Sequence, residues 1–514
     1  MLRPANDNMG HRKAAPSTPG TRNIVAVDLG ADSCRVSLAR ENEGGGTIQT
    51  VYRFPNGPVQ RADHLYWDIE NIVSGVGEGL RRCAALCDAP IRSVAVDGWA
   101  VDYVRLDRHG RPLNDPFCYR DPRTEQAQPL FWKNCLSRRR IYELTGIQML
   151  RFNTVYQLYA DARDDLPPGK PWLNIPEYVL HRLGGRAVAE YSNATHTQML
   201  EAGEMRWCNE ILSAAGFRRT SFPTIVAPGT ILGKLLGSVA KLPQYADTLL
   251  IAPACHDTGS AVAGIPNEGT DDWAFLISGT WSLIGTVLPK PCTSRGALNS
   301  NFSNEGGLGG QVRFLKNVNG MWLLQQCMRQ WQSQGRGWEI SQLVHACSAL
   351  APPRIRLDVD DPELLLPGNM IRAINRVLAK NGHTGVPESS EHAPGVASLI
   401  LHSLASRYAE VLQELSRTTC KKFRRLYVVG GGSRNEFLNG LIASKTGMAV
   451  IRGPVEASTV GNAAIQLAVL DGHTCVKSGV DPVAVSSWSR RINTSFGFRD
   501  CTTANANPAA ATAR

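Results

Sequence analysis

The sequence predicts an α/β fold built from two similar domains, and three observations carry that expectation. Short β-rich runs alternate with longer helical patterns, as in sheets covered by helices. A strand, tight glycine turn, strand pattern occurs twice: residues 24–29, Gly30 and 35–39, then 274–277, Gly279 and 283–287, about half a chain later. Between the two copies, residues 264–272 are rich in Gly, Pro, Asn and Asp, where a domain boundary belongs.

Taken in order, buried strands are expected at 24–29, 93–96, 249–254, 274–277, 426–429 and 449–451, from their Val, Ile, Leu and Ala content. Helices are expected at 69–83, 396–416, 435–445 and 459–470. The domains then run over 23–264 and 265–498. Residues 1–22 mix Pro, Asn, Gly and basic side chains without the apolar stretch of a secretory signal, and read as a disordered tail. Residues 499–514 are rich in Ala, Thr and Asn, bury too little apolar surface to offset their ordering entropy, and read as a second one.

Composition narrows the function classes. The chain has 514 residues, 43% hydrophobic and 19% charged, which excludes disorder as its main state and is ample for buried cores. No apolar run approaches the roughly 18 residues of a membrane helix. The 13 cysteines contain no Cys-x-x-Cys pair and no His partners at zinc-ligand spacing, which argues against a disulfide framework and a structural metal, and for a reducing cytoplasm. The net charge of +10 invites an anionic partner, but part of it lies in the tails. The basic runs at Arg138–Arg140 and around Lys421 and Arg425 lack an aromatic platform or a groove-reading motif, so no nucleic-acid partner is expected.

Six segments carry chemistry. In the first hairpin, Asp28, Gly30 and Ser33 follow a strand; a glycine there lets backbone N–H groups approach an anion, although it also serves as a plain turn. Asp28 suits a hydrated Mg²⁺ or, equally, a turn cap. Gly279 and Thr280 repeat the pattern, and Gly430, Gly431 and Gly432 close a third strand without the last glycine of a dinucleotide fingerprint. His256, Asp257 and Thr258 follow the strand at 249–254, which puts a carboxylate at a sheet mouth as general base or as N-cap, and the histidine as ligand or as satisfied core residue. Asp97, Trp99, Asp102 and Tyr103 combine an indole with carboxylates, as a sugar site or as core; Asn317 and Gln325 suit ligand contact or capping.

Together these blocks resemble the FGGY carbohydrate kinases of the sugar kinase, Hsp70 and actin superfamily, and within them the rhamnulokinase branch. VAVDLGADSCRV, VDGWAVDYV, YRDPRT, FNTVYQLYA, YSNATHTQ, CHDTGSAV, SGTWSLIG, NEGG, LKNVNGMWLLQ, VVGGGSRN and GPVEASTVGNAAIQ occur in the family's order, from about Ile24 to Phe498. The resemblance implies two RNase H-like domains flanking a cleft, with ATP and Mg²⁺ held mainly by the second and sugar mainly by the first. It implies that Asp257 takes the proton from the sugar C1 hydroxyl, that Ala100, His256, Thr258 and Asn317 line the sugar site, and that Ala31, Asp32, Ser33, Cys34, Arg35, Thr280, Gln325 and Gly431 contact the nucleotide. The implied reaction converts L-rhamnulose and ATP to L-rhamnulose 1-phosphate and ADP.

Three positions depart from the family pattern. Asp32 brings a carboxylate to the phosphate turn, where Ser or Thr is usual, and repels phosphate unless it turns away or meets Mg²⁺. Cys34 and Ala100 each stand for a glycine, the latter adding a methyl to the sugar site. Another ketose such as L-fuculose, or a non-catalytic sugar or nucleotide sensor on the same fold, is the alternative reading.

Overall fold

Mostly apolar side chains fill the strand Arg22–Leu29, whose residues are buried from Asn23 onward because it runs through the middle of a sheet. The computed structural model describes residues 21–499 apart from 44, 164–168, 270, 366, 367 and 476. The calls of disorder at both chain ends fall almost wholly outside those residues, except that Arg22 and Arg499 belong to strands.

Arg22–Leu29 pairs antiparallel with Ser33–Asn42, which pairs antiparallel with Gly45–Pro55. On its other side, Ile91–Gly98 and then Leu249–Ala252 add in parallel. The second half repeats this order: Trp273–Ser278 pairs antiparallel with Trp281–Leu288, and that strand with Val312–Asn319. Arg425–Val429 and Ala449–Arg452 then add in parallel. Three antiparallel strands followed by two parallel ones, twice, give the paired RNase H-like architecture, and the two hairpins read from the sequence are its matching corners. Helix Ile69–Ala85 buries Ile69, Ile72, Val76 and Leu80 against the first sheet; helix Ala393–Thr419 runs behind the second.

The assignment of all residues 265–498 to the second domain does not describe the chain's end. Phe496–Arg499 joins the first, seven-stranded sheet by pairing in parallel with Gly45–Pro55. Helices Ala457–Leu470 and Pro482–Ser495 also pack on that sheet, with Val460, Ala464, Ile465, Val485 and Ile492 sharing a core with Ile24, Ile48, Ala95 and Ile251. Pattern reading finds the first of these helices, but neither the second nor the sheet they cover.

Helices Asp257–Ala263 and Ala457–Leu470 meet with their backbones in contact. A Cβ at Gly461 would fall on the Ser260 carbonyl oxygen, and one at Gly264 on that of Ala457. This close approach fixes the segment entering one helix, with His256 and Asp257, relative to the segment entering the other, with Glu456 and Ser458.

Candidate active site

The segments that follow the parallel and hairpin strands converge on one cleft of about 440 Å³. Asp28 and Ser33 bound the first hairpin turn, Trp99 follows Gly98, and His256 and Asp257 follow Leu249–Ala252. From the second half come Gly279 and Thr280 of the matching turn, Gly430 and Gly431, and Asn317. Gly430 has φ +83° and backs onto the Ser278 carbonyl, so a side chain there is both strained and crowded. A Cβ on Gly431 meets nothing within 4 Å, so the backbone there borders open space.

Of the residues assigned to the site, Asp28, Ala31, Asp32, Ser33, Arg35, Ala100, His256, Asp257, Thr258, Thr280, Asn317 and Gly431 all line the cleft. Two do not. Cys34 lies between Ser33 and Arg35 on a strand, so its side chain points to the opposite face, into the core, where it is wholly buried. Gln325 sits a turn into helix Trp322–Ser333 and is not among the lining residues.

Asp257 opens its helix, but the N-cap is His256 and makes no side-chain cap bond, so the capping alternative falls away. Its carboxylate is 35% exposed, and the open side faces the cleft. Burial raises its pKa, His256 lowers it, and the Asp28 charge raises it. Thr258 donates its hydroxyl to Asp257 Oδ1 at 3.2 Å, and His256 Nε2 stands 3.6 Å from the same oxygen.

Behind His256 lies a buried ionic cluster that sequence reasoning missed. Glu305, fully buried, faces His256 Nδ1 at 3.3 Å, His196 Nε2 at 3.4 Å and Arg313 Nη1 at 3.2 Å. His196, His256 and Glu305 offer donor atoms within 4.8 Å of one another, the spacing of a divalent-metal site. The Arg313 guanidinium occupies that role instead: its Nη2 lies 3.4 Å from His256 Nδ1, so a cation already spans two of the three donors. Burial pushes Glu305 up, but the facing cations bring it down to about 2, while burial pushes His196 down to about 4. His196 is therefore neutral at pH 7, and the permanent charge opposite Glu305 is that of Arg313. The YSNATHTQ and NEGG blocks contain His196 and Glu305; only the fold brings Arg313 beside them.

One wall of the cleft is Trp99, Ala100 and Val101, with Tyr119, Arg120 and Phe152. Trp99 is both core and lining: it is 7% exposed, and its Nε1 donates to Asp102 Oδ2 at 3.1 Å. Asp102 also accepts from Trp67 Nε1 at 2.6 Å, the Tyr119 N–H at 3.1 Å and Gln157 Nε2 at 2.9 Å, which orients the indole; burial lifts its pKa to about 6. Val101 has φ +72°, a left-handed conformation that costs a β-branched residue of order 1–3 kcal/mol. Its carbonyl is held there by Thr154 Oγ1 at 2.6 Å and Gln157 Nε2 at 3.3 Å. Across the cleft, Gln148 Oε1 accepts from both the backbone N–H and Nδ2 of Asn317, at 2.9 and 3.0 Å.

At the first hairpin, Asp28 pairs with Asp97 across the parallel ladder. Burial, then the Asp28 charge, pushes the Asp97 pKa well up. Asp28 Oδ2 accepts from Arg35 Nη2 at 2.6 Å and from the Ser458 hydroxyl.

Family models match this architecture on both sides of the boundary. Residues 23–264 match the N-terminal domain of the FGGY family of carbohydrate kinases, and residues 274–470 match its C-terminal domain. The chain belongs to the FGGY family of carbohydrate kinases. Among curated FGGY relatives, a protein named rhamnulokinase from Halalkalibacterium halodurans is 37% identical over 86% of this chain and 92% of its own. A second rhamnulokinase, from Enterococcus faecalis, is 39% identical over 87% of this chain and 89% of its own. Among solved structures, the xylulose kinase of Lactobacillus acidophilus superposes with a TM-score of 0.73, covering 92% of this chain and 96% of its own at 15% identity, a likeness of fold. As an FGGY kinase the protein is a phosphotransferase acting on a sugar hydroxyl. Among the described residues no helix is long and apolar enough to cross a membrane.

Proposed function

We propose that the chain transfers the terminal phosphoryl group of ATP to the C1 hydroxyl of L-rhamnulose. The observation that carries this reading is the position of Asp257, a partly exposed carboxylate in a cleft bordered by three glycine turns on one side and by Trp99, Ala100 and Asn317 on the other. The two rhamnulokinases that match most of the chain supply the choice of sugar.

Phosphoryl transfer asks the protein for alignment and charge stabilisation more than covalent chemistry. Asp257 accepts the hydroxyl proton as the sugar oxygen attacks phosphorus, and its raised pKa brings it closer to neutrality as a base. His256 and Asn317 orient sugar hydroxyls, and Trp99 offers an apolar face to the carbon skeleton. Thr280 and Gly431 border the nucleotide side, with Ala31 and Ser33 of the opposing turn. Asp28 fits Mg²⁺ as a ligand through water, because one of its oxygens is already committed to Arg35 and Ser458. The metal would screen the charge of the transferring phosphoryl group. The free thiols of the described cysteines fit a reducing, cytoplasmic compartment.

A coupled ADP-release assay over a panel of ketoses tests the reading. L-Rhamnulose is expected to give the highest kcat/KM. A higher value for L-fuculose or another ketose would reassign the substrate, and no ADP release with any ketose would support the sensor alternative.

A further inference from the structure

A second arginine stands at the phosphate turn. Arg53, on strand Gly45–Pro55, lies directly opposite Arg35 in the strand register, and both side chains line the cleft. Like charges placed opposite each other across a strand pair are destabilising unless anions meet them. Arg35 is already met: its Nη2 bonds Asp28 Oδ2 at 2.6 Å, and its Nη1 pairs with Glu456. Arg53 is not. Its Nη2 is 3.7 Å from the second Glu456 oxygen, its Nη1 makes a long 3.5 Å contact with Ser33 Oγ, and its side chain is 39% exposed.

The backbone delivers Arg53 to the turn. Three residues beyond it, Asn56 donates its backbone N–H to the Asp32 carbonyl at 3.1 Å and its Nδ2 to the Gly30 carbonyl at 2.9 Å. The strand that carries the guanidinium therefore also straps the loop that carries Asp32, whose side chain is exposed.

We propose that Arg53 binds the terminal phosphates of the nucleotide and offsets the repulsion from Asp32, a role that Arg35, held by Asp28 and Glu456, does not fill alone. The proposal rests on the reading of the protein as an ATP-dependent kinase. A phosphate oxygen against Arg53 makes the charge-assisted hydrogen bond that its protein neighbours leave weak.

Steady-state kinetics of wild type, Arg53→Met, Asp32→Ser and the double variant, at fixed ionic strength, test it. Arg53→Met is expected to raise KM for ATP about tenfold, the scale of one charge-assisted hydrogen bond, while KM for the ketose stays within about twofold. Adding Asp32→Ser to Arg53→Met is expected to recover most of that loss, and Arg53→Lys to keep part of the affinity. An unchanged KM for ATP in Arg53→Met, or an equal rise in both KM values, would overturn the proposal. So would a double variant no better than Arg53→Met, a comparison that holds whatever the stability of the single variants. If wild type releases no ADP with any ketose, the kinase reading fails; if wild type is active and Arg53→Met matches it, only the Arg53 assignment fails.

Discussion

Asp257→Asn lowers kcat by about 10²-fold to 10⁴-fold, the usual contribution of a general base, while sugar and nucleotide still bind. Asparagine keeps the size and hydrogen-bonding reach of the side chain but cannot take up the hydroxyl proton. The fold should be unaffected, because the side chain caps no helix end and its bond to Thr258 joins adjacent residues. Removing a partly buried carboxylate whose pKa is raised also relieves an electrostatic cost, so the variant melts no lower than wild type. Turnover and thermal melting on the same preparation check both halves. Unchanged turnover would remove Asp257 from the chemistry, and lost turnover with lost structure would leave its assignment as base without support.

Glu305→Ala has the second largest effect, and it acts first on stability. Arg313 is 1% exposed, and without Glu305 its charge stays buried, with the Gly306 carbonyl 2.9 Å from its Nε and the His256 imidazole 3.4 Å from its Nη2. Stripping one partner from a buried ion pair costs about 3–5 kcal/mol, a fall in melting temperature on the order of 10 °C. The variant should also lose affinity for sugar, since His256 loses the group facing its Nδ1. A Glu305→Ala protein that melts like wild type would refute this account of the cluster.

The same cluster makes the fold acid-sensitive, and both shifts have one sign. His196 titrates at about 4 in the fold against 6.5 ordinarily, so below pH 6.5 the unfolded chain takes up the proton first and stability falls. Glu305 titrates at about 2 against 4.5, so its contribution is complete above 4.5 and is lost as pH drops toward 2. Melting temperature should therefore decline below pH 6.5, and His196→Gln should flatten the upper part of that decline. A wild-type protein that gains stability between pH 6.5 and 4 would contradict the assignment.

The sequence made local features legible. Both hairpins, the carboxylate after Leu249–Ala252 and the glycines after Arg425–Val429 follow from apolar runs ending in turn residues. Strand alternation alone would have turned Cys34 away from the cleft, since Ser33 and Arg35 face it. What stayed hidden depends on long-range register. Arg53 reaches the first hairpin turn because two strands pair Arg35 with it, and Arg313 reaches Glu305 because Val312–Asn319 folds back on Ser303–Gly306. The return of Phe496–Arg499 to the first sheet is likewise a choice of partner that its own four residues do not encode. The strained φ of Val101 is imposed by Thr154 and Gln157, over fifty residues away in sequence.

The central claim is that a carboxylate between the two sheets directs phosphoryl transfer to one sugar hydroxyl. Phosphorus NMR of the product formed from ATP and L-rhamnulose tests it most directly. A single phosphomonoester signal coupled to the C1 protons is predicted; inorganic phosphate alone, or a phosphorus coupled at another carbon, would contradict it.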